Sequence, residues 1–139
     1  MKKIKKILII DDDEMTSFLH KRFLESMQVA HEIICINDPY QALEYMHQHY
    51  AATTYKVSSP DLVFLDINMP TMSGFQFLEE LESSGIDYGM VSIVMLTTSI
   101  YFKDRERAAS FGNKLQGYLV KPLQKEAVHE LLEGRKVSQ

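Results

Sequence analysis

The chain has 139 residues, with 15 Lys plus Arg against 19 Asp plus Glu, a net charge of −4 and one cysteine, Cys35. That length makes one domain, 1–139, able to bury roughly two-thirds of its unfolded surface without a disulfide or a structural metal. The charge balance gives no footprint for nucleic acid, a lone cysteine cannot staple a fold, and no apolar run approaches the ~20 residues that a bilayer span needs.

The basic lead "MKKIKK" is followed by only four apolar residues and no small-residue cleavage site, so a secretory signal is not expected and the chain is read as cytoplasmic. "KILII" (6–10) is a continuous apolar run, the pattern of a strand covered on both faces. It runs into Asp11, Asp12, Asp13 and Glu14. Met15, Phe18, Leu19, Phe23 and Met27 then recur at helical spacing and predict a helix. "EIICI" (32–36) is a second strand, with Cys35 read as a buried thiol in a reducing compartment. Asp38-Pro39 opens a helix, with an acid suited to the N-cap and a proline suited to the first turn; its stripe is Ala42, Leu43, Met46 and Tyr50. Residues 51–60 form a polar connection longer than a compact domain usually carries.

"DLVFL" (61–65) is the third strand, ending at Asp66, and Phe75, Leu78 and Leu81 mark the helix after the loop "NMPTMSG". "VSIVML" (91–96) is the fourth strand, ending at Thr97. A weakly patterned helix covers 103–111, "GYLV" (117–120) is the fifth strand and ends at Lys121-Pro122, and Ala127, Val128, Leu131 and Leu132 lie on the last helix. Five strands alternating with five helices predict an α/β fold, a doubly wound parallel sheet covered on both faces. Ligands bind such sheets at the carboxyl ends of the strands. The three adjacent acids, Asp66, Thr97 and Lys121 therefore converge on one rim.

Crowded carboxylates repel one another, and a hard divalent cation such as Mg²⁺ relieves that with oxygen ligands. Lys121 adds a compact positive charge suited to phosphate, and Thr97 a neutral hydroxyl donor. Carboxylate, metal, lysine and hydroxyl together describe a phosphoryl-transfer site in which an aspartate attacks in line.

"ILIIDDDE", "LVFLDINMPTMSGFQFL", "VMLTT" and "GYLVKP", in that order, resemble the four signatures of bacterial two-component response-regulator receiver domains, and the likeness covers almost the whole chain. The resemblance implies a stand-alone, CheY-like receiver with the flavodoxin-like strand order 2-1-3-4-5. It implies that Asp66 accepts a phosphoryl group from the phosphohistidine of a sensor histidine kinase or a histidine phosphotransfer protein. Asp11, Asp12, Asp66 and the backbone carbonyl of Asn68 would hold Mg²⁺. Lys121 would pair with Asp66 and then with the phosphoryl oxygens, Thr97 would follow the phosphoryl group, and Tyr118 would change rotamer with it. The Lys121-Pro122 bond is expected to be cis, and Gly74 to allow a tight turn. Signal would leave through a protein contact, to an unknown downstream partner or a phosphorelay, with no nucleic acid and no membrane involved. Such a protein is a phosphoryl acceptor with autodephosphorylation rather than an enzyme turning over an external substrate.

Several residues have plainer readings. Asp13 is better suited to an N-cap than to a metal. His20, His31, His47, His49 and His129 show no metal-ligand spacing and are read as surface or packing residues. Three features depart from the family pattern: Thr98 in place of a smaller residue, a connection at 112–118 that looks about two residues long, and the extended 51–60 segment. Two other functions compete. One is a receiver fold used as a docking module without phosphorylation. The other is a haloacid-dehalogenase-like phosphatase with Asp11 as nucleophile and Asp13 as acid/base, but no Asp follows Asp104 to supply that family's last acidic motif.

Overall fold

The computed structural model describes residues 3–52 and 59–138. The elements in chain order are β1 (Ile4–Ile10), α1 (Glu14–Met27), β2 (Ala30–Ile36), α2 (Pro39–Tyr50), β3 (Asp61–Leu65), α3 (Gly74–Ser83), β4 (Val91–Thr97), α4 (Phe102–Ser110), β5 (Gly117–Val120), α5 (Lys125–Leu132) and β6 (Val137–Ser138). The strands form one sheet in the order β2-β1-β3-β4-β5-β6, parallel throughout. The five expected strands are present in the expected order. The sixth, of two residues, was not anticipated: nothing in "RKVSQ" carries a strand pattern, and it pairs with β5 at Gly117 and Tyr118.

The continuous apolar runs are explained by the two layers of core. Along β1, Leu8 and Ile10 join one cluster with Ala42, Met46, Phe75, Phe77, Leu78 and Leu81. Ile7 and Ile9 join the other with Leu24, Val128 and Leu131. Successive strand side chains point to opposite faces, so a strand buried on both must be apolar at every position.

Caps fix where the helices begin. Asp13 accepts from the backbone N–H groups of Met15 and Thr16, which makes it the N-cap of α1. Asp38 caps α2, with Pro39 in its first turn. Ser73 and Gln76 close a capping box on α3.

The helix expected from that spacing is present as α1, but the spacing does not mark its buried face. Met15, Phe18 and Leu19 are 66%, 52% and 58% exposed, while the buried face of the helix is Ser17, His20 and Leu24. Phe23 and Met27 are half-buried against the core. Ser17 on that buried face meets the end of β1, its hydroxyl donating to the Asp11 carbonyl at 3.4 Å. Apolar periodicity cannot register a face that buries a serine and a histidine.

Residues 53–58 of the long connection lie outside the described residues; its start, Ala51, bridges Ile86. The 112–118 connection contains a 3-10 turn at Gly112–Lys114. The Lys121-Pro122 bond is cis. Among the described residues no helix is long and apolar enough to cross a membrane.

Candidate functional site

Parallel pairing delivers the rim residues together. Asp11, Asp66 and Lys121 each follow the last residue of a strand or of its ladder. Their backbone N–H groups continue the ladder: Asp11 to the Ile36 carbonyl at 3.3 Å, Asp66 to Ile10 at 3.0 Å, and Lys121 to Thr97 at 2.8 Å. Each side chain thus inherits its position from the sheet rather than from a mobile loop.

Asp11 and Asp66 are buried, at 3% and 7% exposure. Carboxylate oxygens of Asp11, Asp12 and Asp66 all lie within 4.8 Å of one another. Lys121 Nζ reaches between them, 2.7 Å from Asp11 Oδ2 and 3.6 Å from Asp66 Oδ1. Three carboxylates against one ammonium leave two negative charges in excess, which one divalent cation would neutralise. All the donors are hard oxygens, the set that suits Mg²⁺. Asp13 stays out of the cluster as a cap, and its N–H donates to Asp11 Oδ1 at 3.0 Å.

Burial pushes the Asp66 carboxyl up to about 6. The Lys121 ammonium opposes that rise, Asp11 adds to it, and the N–H groups of Ile67 and Asn68 oppose it again. A carboxyl taken out of water resists ionisation unless cations compensate.

Gly74 is required by close approach rather than by a turn conformation. A Cβ there would sit 2.4 Å from the Asp66 carbonyl oxygen, and the Gly74 N–H donates to the Ile67 carbonyl at 2.9 Å. The start of α3 is thereby pressed against the backbone that carries Asp66.

Thr97 is fully buried. Its hydroxyl accepts from the Ser99 N–H at 3.2 Å, while the Ser99 carbonyl accepts from the Tyr118 hydroxyl at 3.0 Å. The Ser99 hydroxyl donates to Asp104 Oδ2 at 2.5 Å and accepts from the Tyr101 N–H at 3.2 Å. Tyr118 is turned inward, 4% exposed, with the Arg105 guanidinium 4.9 Å above its ring. One residue, Ser99, thus joins Thr97, Tyr118 and the first turn of α4.

Sequence reasoning missed Ser99, Asn37 and Ser17. Asn37 Nδ2 donates to the Asp11 carbonyl at 2.8 Å and to Ser17 Oγ at 3.2 Å. The available signal was position: Asn37 follows β2 on the same rim. Asn68 is exposed beside the cluster, and Thr98 is exposed at its mouth. Beside Lys121 lies a groove of about 440 Å³ lined by Thr16, Leu19, His20, Phe23, Thr98 and Leu123. His20 is buried there, with burial pushing its basicity down and no hydrogen-bond partner for Nδ1 among the described residues. His31, His47 and His49 are exposed and His129 is half-buried, none of them at the rim cluster.

Residues 7–133 match the family model described as the response regulator receiver domain. The chain belongs to that family. This receiver domain is 30% identical over 129 residues to the chemotaxis protein CheY of Halobacterium salinarum, covering 92% of this chain and 93% of that protein. It is 28% identical over 131 residues to the response regulator Rcp1 of Synechocystis sp., covering 94% and 85%. A two-component response regulator from Cytophaga hutchinsonii shares its fold at a TM-score of 0.80, with 24% identity over 96% of this chain and 97% of that one. The receiver fold and its place in two-component signalling, as a phosphoryl acceptor, follow from this membership.

Proposed function

We propose that Asp66 is the phosphoryl acceptor of this receiver, with Asp11, Asp12, Asp66 and the Asn68 carbonyl holding Mg²⁺ and with Lys121 and Thr97 receiving the phosphoryl oxygens. The reading rests above all on Lys121 spanning Asp11 and Asp66 next to a fully buried Thr97. An Asp66 carboxylate oxygen attacks phosphorus in line; the P–N bond of the donor's phosphohistidine breaks, and its electron pair returns to the imidazole, which takes up a proton. Bound Mg²⁺ supplies charge neutralisation for the transferring group and lets the three carboxylates stay ionised together. Lys121 then leaves its carboxylate partners for the new phosphoryl oxygens, the stronger concentration of negative charge. Thr97 turns its hydroxyl to the same group and releases the Ser99 N–H. The Ser99 carbonyl is the acceptor that keeps Tyr118 inward, so the phosphorylated site and the ring are linked through one residue.

The donor is a phosphohistidine-bearing kinase or phosphotransfer protein, docked on α1. Met15, Phe18 and Leu19 are large, apolar and exposed, and Leu19 lines the groove that runs to Lys121. No apolar residue of α2 beyond Tyr40 is so exposed. The reading is tested by labelling with a small phosphodonor in the presence of Mg²⁺. Asp66→Asn is expected to abolish labelling, while equal labelling of that variant contradicts the assignment.

A further inference from the structure

Beyond the end of β1, the Asp11 N–H still donates to the Ile36 carbonyl of β2 at 3.3 Å. The Asp11 carbonyl is held by side chains instead. Asn37, the residue after β2, donates its Nδ2 to that oxygen at 2.8 Å and to Ser17 Oγ at 3.2 Å. The Ser17 hydroxyl donates to the same Asp11 oxygen at 3.4 Å. A carbonyl oxygen can only accept, so the end of the Asn37 amide turned to Asp11 must be its NH₂ group. The amide thus places both its N–H groups here, and the carbonyl accepts twice. Ser17, at the base of the triangle, is 1% exposed, which keeps water from it on that side.

The oxygen held in this way belongs to the planar peptide group that joins Asp11 to Asp12. Rotating that plane turns one residue against the other, so its orientation sets how the two carboxylates face each other. The Asp11 carboxylate has two further holds, the Asp13 N–H on Oδ1 at 3.0 Å and Lys121 Nζ on Oδ2 at 2.7 Å. The Asp12 carboxylate has no hydrogen bond or ion pair among the described residues, yet one of its oxygens lies within 4.8 Å of those of Asp11 and Asp66. Its reach into the cluster therefore depends on the backbone beneath it, and that backbone is the plane that Asn37 grips.

We propose that Asn37 is a positioning residue for the cation site: by holding the Asp11–Asp12 peptide plane it keeps both carboxylates converged in advance of binding. It acts through the backbone of Asp11 and not on the cation itself, and the inference rests on the reading of Asp11 and Asp12 as Mg²⁺ ligands given above. Without Asn37 the plane keeps only the longer bond from Ser17. The two carboxylates then spread over orientations that do not converge, and binding a cation has to restore the order at a cost in affinity. Groups that orient the ligands of a metal site change its affinity by roughly 10–100-fold when removed. Asn37 acts one step behind the ligand atoms, which places it at the lower end of that range.

The test is a calorimetric titration of the full chain with Mg²⁺. Asn37→Ala is expected to weaken Mg²⁺ binding about tenfold. Ser17→Ala, which removes the longer bond, is expected to weaken it less and in the same direction. Unchanged affinity in folded Asn37→Ala overturns the proposal, whatever the variant loses in unfolding stability, because a residue that only ties β2 to α1 would lower stability alone. Should Asn37→Ala fold poorly, Asn37→Leu, of nearly the same size but without a donor, takes its place with the same expectation. Failure of Mg²⁺ to bind even the unaltered protein counts against the ligand reading instead. In that event solvent exchange of the Asp13 N–H, which is bonded to Asp11 Oδ1, decides without any metal. Faster exchange in Asn37→Ala supports the hold on Asp11, and an unchanged rate overturns it.

Discussion

Helices α3 and α1 both carry large apolar side chains, and they use them in opposite ways. α3 buries Phe75, Phe77, Leu78 and Leu81, while α1 leaves Met15, Phe18 and Leu19 in solvent and turns Ser17 and His20 inward. α3 is pressed on the backbone behind Asp66 through Gly74, so it fixes that residue in place. α1 begins at the acidic cluster and borders the groove beside Lys121, so its apolar residues lie where an approaching donor would meet them. Large apolar side chains serve packing in α3, whereas in α1 they stay in solvent on the face proposed above for the donor.

Substitutions should separate the two roles. Phe77→Ala removes a fully buried ring and is expected to cost about 3–5 kcal/mol in denaturant unfolding. Phe18→Ala is expected to stay within about 0.5 kcal/mol of the parent, as exposed substitutions usually do. Its effect should fall on transfer from a phosphohistidine protein, roughly tenfold slower, in line with the loss of one well-placed contact of ~1.4 kcal/mol. Labelling by a small phosphodonor, which needs no docking face, should be unchanged. An equal loss with both donors would place Phe18 in the chemistry and dissolve the contrast.

A second prediction concerns the cation between the carboxylates. Lys121→Ala leaves Asp11 and Asp66 without their shared partner. Labelling of Asp66 is expected to fall by about 10²-fold, the scale seen when one preorganised electrostatic contact is lost. Retained labelling would assign Lys121 to structure alone.

The third is a pH effect on stability. Burial raises Asp66 from 3.8 to about 6, so between those values the folded chain keeps a proton that the unfolded chain has released. Stability of the metal-free protein should therefore fall as pH rises from about 4 to about 6, by up to ~3 kcal/mol from this group. Asp66→Asn should flatten that slope. Magnesium competes with the proton, so its affinity should weaken as pH drops below about 6. A metal-free stability profile that is the same in parent and variant contradicts the buried, proton-retaining carboxyl.

The smallest effect is expected at Thr98. It is exposed at the mouth of the site, and Thr98→Ala should change stability by less than about 0.5 kcal/mol. It should speed loss of the phosphoryl group a few-fold by opening the path for water, read as phosphoprotein half-life.

The rim was legible in the sequence because strand-ending residues in a parallel sheet are placed by topology alone. Asp11, Asp66, Thr97 and Lys121 needed only the strand boundaries, and Asp13 and Asp38 declared themselves as caps by their place before helices. What escaped notice depends on contacts across the chain. Ser17 and His20 occupy a buried face that hydrophobic periodicity excludes. Ser99 acts largely through its backbone N–H and carbonyl, which any residue carries. β6 pairs with β5 at Gly117 and Tyr118, and neither of these marks residues 137–138 as a strand.

The central claim is that the buried carboxylate at the end of β3 receives the phosphoryl group. Labelling with a small phosphodonor and Mg²⁺, followed by hydride reduction of the acyl phosphate and mass spectrometry of the peptides, locates the acceptor directly. The account predicts reduction at Asp66 alone. Reduction at Asp11 or Asp12, with Asp66 intact, contradicts it.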